Sequence, residues 1–416
     1  MISLLRQRNY GLLWVSQLVS QTGNWALFAA LPFFVFQVTG SVLATGTMFA
    51  VEVIPAIVIG SLAGVFVDRW DRRWTMIGAN VARGALLLLL IFFRSPEQVW
   101  LVYIVAFVSS VANLFFNPAN NALLPLLVSK QELVTANSLD ALGENAARII
   151  GPAIGGAALA YVGLTAVALI DMATYFIGAG LIFLIQVPGD GQAASDRNAA
   201  GQGLTAQWLA FWKEWVSGLR LAIGYRPLAY VFLAAGVALI GDSILSVLLV
   251  VFVQGSVGGG AQEFGWILTA RGVGGILGGL AVARFGPRFR PKNLIAFGMA
   301  GVGALLLLAL WYPKLWFVLL ISVLFGLPTM AWLIAGQTWL QTNTTDEYRG
   351  RLFGAFETYA AFMGLLGIGF ASLAGDALGV HTSLAVAAAL FIGAGLLAFV
   401  LLQPRFLEEA AASEIE

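Results

Sequence analysis

The chain has little charge, no cysteine and a single histidine among its 416 residues. Without cysteine it cannot form disulfides or thiolate metal sites, and His381 alone cannot supply a cluster of imidazole ligands. Only 10% of the residues are charged and 60% are hydrophobic, whereas soluble domains carry about 25% charged residues. This composition excludes an ordinary soluble protein. We expect no cofactor and no metal, and the net charge of +1 gives no general attraction to nucleic acid.

Long apolar runs dominate the remainder of the sequence. A helix that crosses a bilayer needs roughly 20 apolar residues, and twelve runs approach or exceed that length. They are Leu12–Phe36, Ser41–Val67, Trp74–Phe93, Val99–Asn117, Leu133–Tyr161, Thr165–Val187, Leu228–Val253, Phe264–Arg284, Asn293–Tyr312, Leu315–Gln337, Leu352–Ala374 and Leu384–Leu402. The first run is too long for the core of a cleaved signal peptide. The sequence therefore predicts an all-α membrane protein with twelve transmembrane helices.

The twelve spans divide into two sets of six. We predict an N-terminal six-helix bundle at residues 1–187 and a C-terminal six-helix bundle with a short acidic tail at residues 227–416. Between them, residues 188–226 form a cytoplasmic linker, in which aromatic side chains between Trp208 and Ile223 recur at helical spacing. That spacing predicts an amphipathic helix on the membrane surface. Two six-helix halves joined by a linker are typical of secondary transporters.

The distribution of cations predicts the orientation. With the amino terminus inside, the outer loops contain only Arg94 and Lys314, and three arginines fall within spans. All other cations then lie in inner segments, as the positive-inside rule requires. We expect both termini to be cytoplasmic and the protein to lie in the plasma (inner) membrane.

A charged turn follows the second span. Five charges occur in the six positions from Asp68 to Arg73, and Gly64 precedes them. A weaker copy, Gly279 to Arg290, follows the eighth span, with Arg284 near the place of Asp68. The match between the two halves indicates an internal repeat.

The pattern Gly-xxx-Asp-Arg-x-x-Arg-Arg resembles the loop after the second helix in the major facilitator superfamily, with Asp71 where that family usually has glycine. Other pieces resemble the branch of enterobactin exporters and macrolide efflux proteins. These are Arg8-Asn9-Tyr10, the piece from Asn117-Pro118-Ala119 through Ala136-Asn137-Ser138, Arg148 through Gly156, and Arg349-Gly350-Arg351. The resemblance covers nearly the whole chain and implies a transporter whose two bundles rock between inward-open and outward-open states.

The resemblance also implies roles for two motifs. In the charged turn, Gly64, Asp68, Arg69, Arg72 and Arg73 would form a conformational latch. Asp68 would lie at the positive amino end of the eleventh helix, near Arg349–Leu352, when the cytoplasmic side closes. The alternative role of the turn is a simple topology anchor.

The second motif lies in the fifth span and resembles the antiporter motif of exporters. It consists of Gly151, Pro152, Gly155 and Gly156. Glycine permits close helix approach and proline removes a backbone hydrogen bond, so the motif would let the fifth helix bend. The alternative is tight packing alone.

Charges inside the spans are costly and should be paired or functional. Glu52 and Arg83 lie at similar depth, so we expect them to pair or share a network. Glu144 and Arg148 can pair within one helix, and the seventh and eighth spans carry Asp242 and Arg271. Six span carboxylates face only three span arginines. A carboxylate without a cation could exchange a proton as access alternates, and Glu52 and Asp242 are our leading candidates.

The fourth span carries no charge, so it lacks the arginine that many proton-coupled relatives have there. By the resemblance, the substrate cavity lies between the first, fourth, seventh and tenth spans. Its candidate lining residues are Gln17, Gln21, Asn24, Asn113, Asn117 and Trp332. Amide and aromatic groups suit large amphipathic molecules.

We therefore interpret the chain as a secondary transporter that exports amphipathic organic compounds of the drug, macrolide or siderophore class, by proton antiport. Its expected partners are that small molecule, protons and the lipid bilayer, and we expect a monomer. A nutrient importer of the same fold and a non-transporting receptor or scaffold remain alternatives. The sequence contains no nucleotide-binding P-loop and no cysteine nucleophile, so we do not expect an enzyme.

Overall fold

The computed structural model describes residues 2–187 and 223–402, together with Val216 and Arg220. Within these residues the secondary structure is helical and contains no strand. The expected amphipathic helix at Trp208–Ile223 falls almost wholly outside the described residues, as does the acidic tail.

Twelve long helices follow one another in the described part of the chain. The first six are α1 (Arg8–Thr39), α2 (Val42–Arg69), α3 (Arg72–Leu86, continued by Leu88–Ile91), α4 (Val99–Leu127), α5 (Leu133–Tyr161) and α6 (Leu164–Phe183). The others are α7 (Arg226–Phe252), α8 (Ala261–Phe285), α9 (Pro291–Trp311), α10 (Leu315–Leu324 and Gly326–Thr342), α11 (Asp346–Ala377) and α12 (Val380–Leu401). The expected all-α architecture of twelve helices in two bundles is confirmed.

Eleven of these helices in the described chain are long and apolar enough to cross a membrane. The exception is α5, which has the required length at 29 residues. Its middle part carries Asp140, Glu144 and Arg148, which lower its hydropathy. Asp140 is partly buried and faces Tyr10 of α1, whereas Glu144 and Arg148 are exposed.

The packing within the first six helices is repeated within the last six. In the first half, α1 packs against α5 and α6, and α3 packs against α4 and α6. In the second half, α7 packs against α11 and α12, and α9 packs against α10 and α12. Each pair recurs six helices later. The internal repeat that the charged turns indicated is thus present in the helix packing.

Glycine turns repeat in the same way. The described residues with positive φ are all glycine, at Gly40, Gly163, Gly258 and Gly379, with φ of 62°, 98°, 72° and 81°. Gly40 and Gly258 follow the first helix of each half, and Gly163 and Gly379 separate the last two. Other residues rarely adopt this left-handed conformation, so these positions set the turns.

The described chain forms two compact units. The first comprises residues 2–39, 51–187 and 264–269, and the second comprises residues 40–50, 223–263 and 270–402. The domain boundaries that the sequence suggests, residues 1–187 for the first helix bundle and 227–416 for the second, remain predictions.

Proline affects one helix more than the others. The helix α10 is interrupted at Phe325 between its two segments. Pro328 explains the break, because a proline cannot donate to the carbonyl four residues earlier, at Leu324. In contrast, Pro32, Pro55, Pro118 and Pro125 lie within continuous helices.

The helices α1 and α5 approach each other through glycine. A Cβ atom at Gly155 would collide with the backbone carbonyl of Ala26, and one at Gly151 would collide with the Cβ of Trp25. Backbone atoms cannot move aside as a flexible side chain can. The absence of a side chain therefore sets the separation of these two helices.

We predict that Gly155→Ala lowers the thermal stability of the purified protein, because overpacking of a tight contact costs about 1–3 kcal/mol. The matched control is Gly180→Ala on α6, where a Cβ atom has no neighbour within 4 Å. The control should be neutral or stabilising, since alanine favours a helix over glycine by up to ~1 kcal/mol. Melting in detergent measures both variants, and equal melting temperatures would contradict the prediction.

Candidate functional site

A polar cavity of about 400 Å³ lies between α1, α4 and α5 in the first unit. We call it the amide cavity. Its lining residues are Trp14, Gln17, Leu18, Gln21, Phe116, Asn117, Asn120, Asn121, Asn137, Asp140, Ala141, Gly143 and Glu144. Six of these carry side-chain amides and two are carboxylic acids. Three of the residues expected to line a substrate cavity, Gln17, Gln21 and Asn117, come together here.

Hydrogen bonds hold the walls of the amide cavity in place. Gln17 Nε2 donates to Asn120 Oδ1 at 2.6 Å, which joins α1 to α4. Tyr10 Oη donates to the Ala136 carbonyl at 3.0 Å and lies 3.2 Å from Asp140 Oδ1, which joins α1 to α5. A ligand would therefore meet a largely preformed surface of amide donors and acceptors.

The remaining charges of α5 are paired. Arg148 Nη2 lies 3.6 Å from Glu144 Oε1, one helical turn away, as expected. The guanidinium also lies over the Trp25 ring, with its Cζ atom 4.9 Å from the ring centroid. This ion pair is partly exposed, so its contribution to stability is small.

A second, smaller cavity of about 200 Å³ contains Glu52. We call it the Glu52 cavity. It lies between α1, α2 and α4, and it is lined by Asn24, Trp25, Leu27, Phe28, Leu31, Glu52, Ala106, Ser109, Ser110 and Asn113. The expected residues Asn24 and Asn113 lie here. The Glu52 carboxylate forms no salt bridge within the described residues, and Ser110 Oγ donates to the Glu52 backbone carbonyl at 2.7 Å.

The expected pairing of Glu52 with Arg83 was wrong. Arg83 is only 3% exposed, and its Cζ atom lies 5.0 Å from the Phe116 ring and 5.4 Å from the Tyr175 ring. Similar depth in the membrane does not place two side chains on facing sides of their helices. The helical phase of α3 directs Arg83 toward α6, where it meets a different carboxylate.

That carboxylate is Asp171, which is fully buried. Thr174 Oγ1 lies 3.1 Å from Asp171 Oδ1, and Arg83 attracts the carboxylate without a direct salt bridge. Asn80, also fully buried, completes what we call the Asn80–Arg83–Asp171 cluster. Among the residues that the structure describes, five side-chain polar atoms of this cluster lack a hydrogen-bond partner: both of Asn80, Arg83 Nε and Nη2, and Asp171 Oδ2.

Small residues make room for this cluster. A Cβ atom at Gly23 on α1 would collide with Thr174 Oγ1 and Asp171 Oδ1. A Cβ at Gly178 on α6 would lie 3.1 Å from Asn80 Nδ2. The sequence placed Asp171 among the six span carboxylates, but nothing in the local pattern indicated its partners, because they come from another helix.

We predict that Asp171→Asn strongly destabilises the protein, because it leaves the Arg83 charge buried without its counter-charge, at a cost of about 3–5 kcal/mol. The double variant Arg83→Met with Asp171→Leu should recover part of that loss, since neither buried charge remains. As a control, Glu144→Gln breaks an exposed pair and should cost about 1 kcal/mol or less. Thermal melting of the wild-type protein and the three variants measures these effects. A double variant whose melting temperature is no higher than that of Asp171→Asn would refute the coupling between Arg83 and Asp171.

The second unit has its own charge pair. Arg271 Nη2 on α8 lies 3.9 Å from Asp242 Oδ1 on α7, and its Cζ atom lies 5.8 Å from the Phe325 ring centroid. The pair is half-exposed. Trp332, expected in the substrate cavity, is 8% exposed and packs against α9, where a Cβ at Gly298 would lie 2.9 Å from the Trp332 Cβ.

The antiporter-like motif presents two faces. Gly151 and Gly155 face α1, as described above. On the other side, a Cβ atom at Gly265, in the α8 segment that belongs to the first unit, would meet the Pro152 carbonyl and lie 3.2 Å from Gly156 Cα. Thr269 of the same segment donates through Oγ1 to the Ile149 carbonyl at 2.8 Å. The motif therefore permits close packing on both sides of α5.

In the charged turn, Gly64 lies within α2, and the side chains of Asp68 and Arg69 lie outside what the structure describes. Arg72 Nη1 donates to the Ala122 carbonyl of α4 at 3.2 Å. Arg73 donates to the carbonyls of Ile182 and Phe183 at the end of α6. Asp71 accepts from the Trp74 backbone N–H at 2.8 Å and so caps α3. The arginines thus fasten the turn to neighbouring helix ends.

Residues 1–415 match the model of a family described as transmembrane secretion effector. Macrolide efflux protein A of Streptococcus pyogenes is 24% identical over 375 residues, which cover 89% of this chain and 90% of the relative. Multidrug efflux pump Tap of Mycolicibacterium fortuitum is 25% identical over 382 residues, which cover 88% and 89%.

Solved structures agree in fold. A bacterial homologue of the iron transporter ferroportin, in its inward-facing state, superposes with a TM-score of 0.77 at 14% identity, over 95% of this chain and 98% of that one. A bacterial homologue of the human lysosomal transporter Spinster gives a TM-score of 0.74 at 14% identity, over 97% and 98%. At such identities the likeness concerns the fold alone.

Proposed function

The chain belongs to the transmembrane secretion effector family of major facilitator transporters, and from this premise we propose that it exports amphipathic organic compounds by proton antiport. It is a multi-pass membrane transporter and not an enzyme. The substrate class, the coupling ion, the monomeric state and the cytoplasmic position of both termini are parts of the proposal.

The amide cavity is the observation on which the proposed substrate class rests. Its amides offer both donors and acceptors, while Trp14 and Phe116 add aromatic surface. A site of about 400 Å³ that combines amides and aromatic rings with two carboxylic acids suits one face of a large molecule with scattered hydroxyl and carbonyl groups. Such groups are typical of macrolides and siderophores, and relatives whose names specify macrolide or multidrug efflux support the same class.

Proton coupling needs a carboxylate that reaches a cavity and is not neutralised by a permanent partner. Glu52 meets both conditions, because it lines the Glu52 cavity and forms no salt bridge in the described chain. Asp242 is the second candidate, since its contact with Arg271 at 3.9 Å is long and half-exposed. We propose that one of these groups binds a proton when the site opens outward and releases it inward.

A transport assay tests this proposal. In proteoliposomes with an imposed pH gradient, the wild-type protein should accumulate a macrolide or another amphipathic compound against its gradient. We predict that Glu52→Gln reduces this proton-driven component at least 10-fold while substrate–substrate exchange persists, because exchange needs no net proton movement. The control Glu97→Gln removes an exposed carboxylate next to α4 and should transport normally.

Three outcomes would contradict the proposal in different ways. No movement of any tested compound by the wild-type protein would favour a receptor or scaffold. Accumulation with the opposite gradient dependence would favour an importer. Unchanged proton-driven transport by both Glu52→Gln and Asp242→Asn would exclude these two carboxylates as the proton-binding groups. The assignment of the protein as a transporter would still stand.

We also propose that Asp68 acts as the latch that the family resemblance implies. In the state closed to the cytoplasm, its carboxylate would be stabilised by the positive amino end of α11 near residues 349–352. Arg72 and Arg73, which fasten the turn to α4 and α6, would hold the turn in position for that contact.

Thiol labelling tests the latch on a chain that naturally lacks cysteine. Gln21→Cys places one thiol in the amide cavity. We predict that adding Asp68→Asn increases its labelling by a membrane-impermeant maleimide from the cytoplasmic side severalfold, because the closed state loses a stabilising contact. Adding Asp71→Asn instead removes a carboxylate charge from the same turn but keeps a side chain that can cap α3, and should leave labelling unchanged. Equal labelling in all three backgrounds would exclude the latch.

A further inference from the structure

An apolar cavity of about 660 Å³ lies between α8, α9 and α10 in the second unit. Aromatic and aliphatic side chains form most of its wall, including Phe285, Phe289, Phe297 and Leu327. These four are half-exposed or more, at 50%, 56%, 64% and 52%. The transport mechanism proposed above uses none of them. The cavity is thus a separate feature that a long apolar ligand could fill.

One rim of this cavity is strongly basic. The segment from Arg284 to Lys292 contains four cations, Arg284, Arg288, Arg290 and Lys292, and no acid. None of the four forms a salt bridge with another residue of the described chain. Arg288 and Arg290 are exposed. The rim therefore presents an uncompensated positive charge at the end of an apolar cavity.

Aromatic contacts tie the cations to the cavity wall. The Arg288 Cζ atom lies 5.5 Å from the ring centroid of Phe285, a wall residue. The Lys292 Nζ atom lies 6.0 Å from the ring of Phe399, and that ring lies 5.9 Å from the ring of Phe297, another wall residue. Charge and apolar surface thus belong to one continuous site.

The amino end of α9 adds a positive helix terminus at the same place. This helix begins at Pro291 after Arg290, has no side-chain cap and has no acid in its first turn. Pro291 has no N–H group, and the Asn293 N–H donates to the Arg290 carbonyl at 2.9 Å. The remaining backbone donor is the Lys292 N–H, which together with the positive end of the helix dipole favours an anion. The preceding cations increase that preference.

We propose that this site binds an anionic diacyl phospholipid, with the headgroup phosphate on the basic rim and an acyl chain in the apolar cavity. A zwitterionic lipid would fill the cavity but carries no net charge for the rim. A soluble phosphate would satisfy the rim but leave the cavity without a ligand. Only a lipid with a negative headgroup satisfies both, and basic pockets between transmembrane helices are suited to such headgroups.

The test compares lipids of equal chain length on the full-length purified protein. Native mass spectrometry with delipidated protein measures binding of dioleoyl phosphatidylglycerol and dioleoyl phosphatidylcholine. We expect phosphatidylglycerol to bind more tightly. The double variant Arg288→Gln with Lys292→Gln should weaken phosphatidylglycerol binding about 30-fold, since each cation near a membrane surface contributes about fivefold, and should leave phosphatidylcholine unaffected.

Two further variants separate the parts of the site. Ala281→Phe fills the cavity and should weaken binding of both lipids. The control Lys130→Gln with Lys314→Gln removes two cations elsewhere and should change neither. All variants are compared after their melting temperatures show that they are folded. The double variant Arg288→Gln with Lys292→Gln tests the proposal even if Ala281→Phe does not fold.

Several results would overturn the proposal. Equal binding of the two lipids to the wild-type protein would exclude headgroup recognition. An equal loss in the rim variant and in the control would indicate only a general charge effect. Displacement of phosphatidylglycerol by equimolar glycerol 3-phosphate would identify a site for soluble anions. A peptide that co-purifies with the protein and is cross-linked to the basic rim would identify a protein partner instead of a lipid.

Discussion

The low dielectric of the membrane interior is the constraint on which this structure depends. Every backbone polar group must be satisfied within a helix, and every polar side chain must find a partner or a cavity. The chain meets this demand by gathering its polar residues on facing sides of a few helices. The amide cavity and the Glu52 cavity result from that grouping, whereas the Asn80–Arg83–Asp171 cluster keeps five polar atoms without a hydrogen-bond partner among the described residues. Glycine at positions such as Gly23 and Gly155 lets the helices approach closely enough to form them.

The two halves share a packing scheme but differ in chemistry. The same helix pairs and the same glycine turns occur in both, which indicates that the repeat preserves the backbone arrangement. The polar groups are distributed unequally, because the amide cavity and the buried cluster both belong to the first unit, whereas the second unit holds the Asp242–Arg271 pair and the apolar cavity with its basic rim. A repeat of this kind provides a common mechanical frame. Substrate recognition and lipid contact can then be assigned to different halves.

Much of the fold could be predicted from the sequence, since helix length and hydropathy are local properties. Even α5, which is too polar to qualify as a span by composition, was predicted from the length of its run. The site was predicted only in part. Gln17, Gln21 and Asn117 were expected together and are together, but Asn24 and Asn113 lie with Glu52 in a separate cavity. Trp332 packs against α9 because Gly298 leaves space for it.

The sequence by itself determined the membrane class, the number of helices and the family, because each follows from residue order along one helix or one motif. Only the tertiary structure decided which charges meet. Glu52 and Arg83 were expected at similar depth, yet the phase of α3 turns Arg83 toward Asp171. The apolar cavity and its basic rim also come from three helices and one turn brought together in space. The depth of a residue in the membrane follows from its position along one helix. Whether two side chains face each other depends on how both helices are rotated about their axes when they pack.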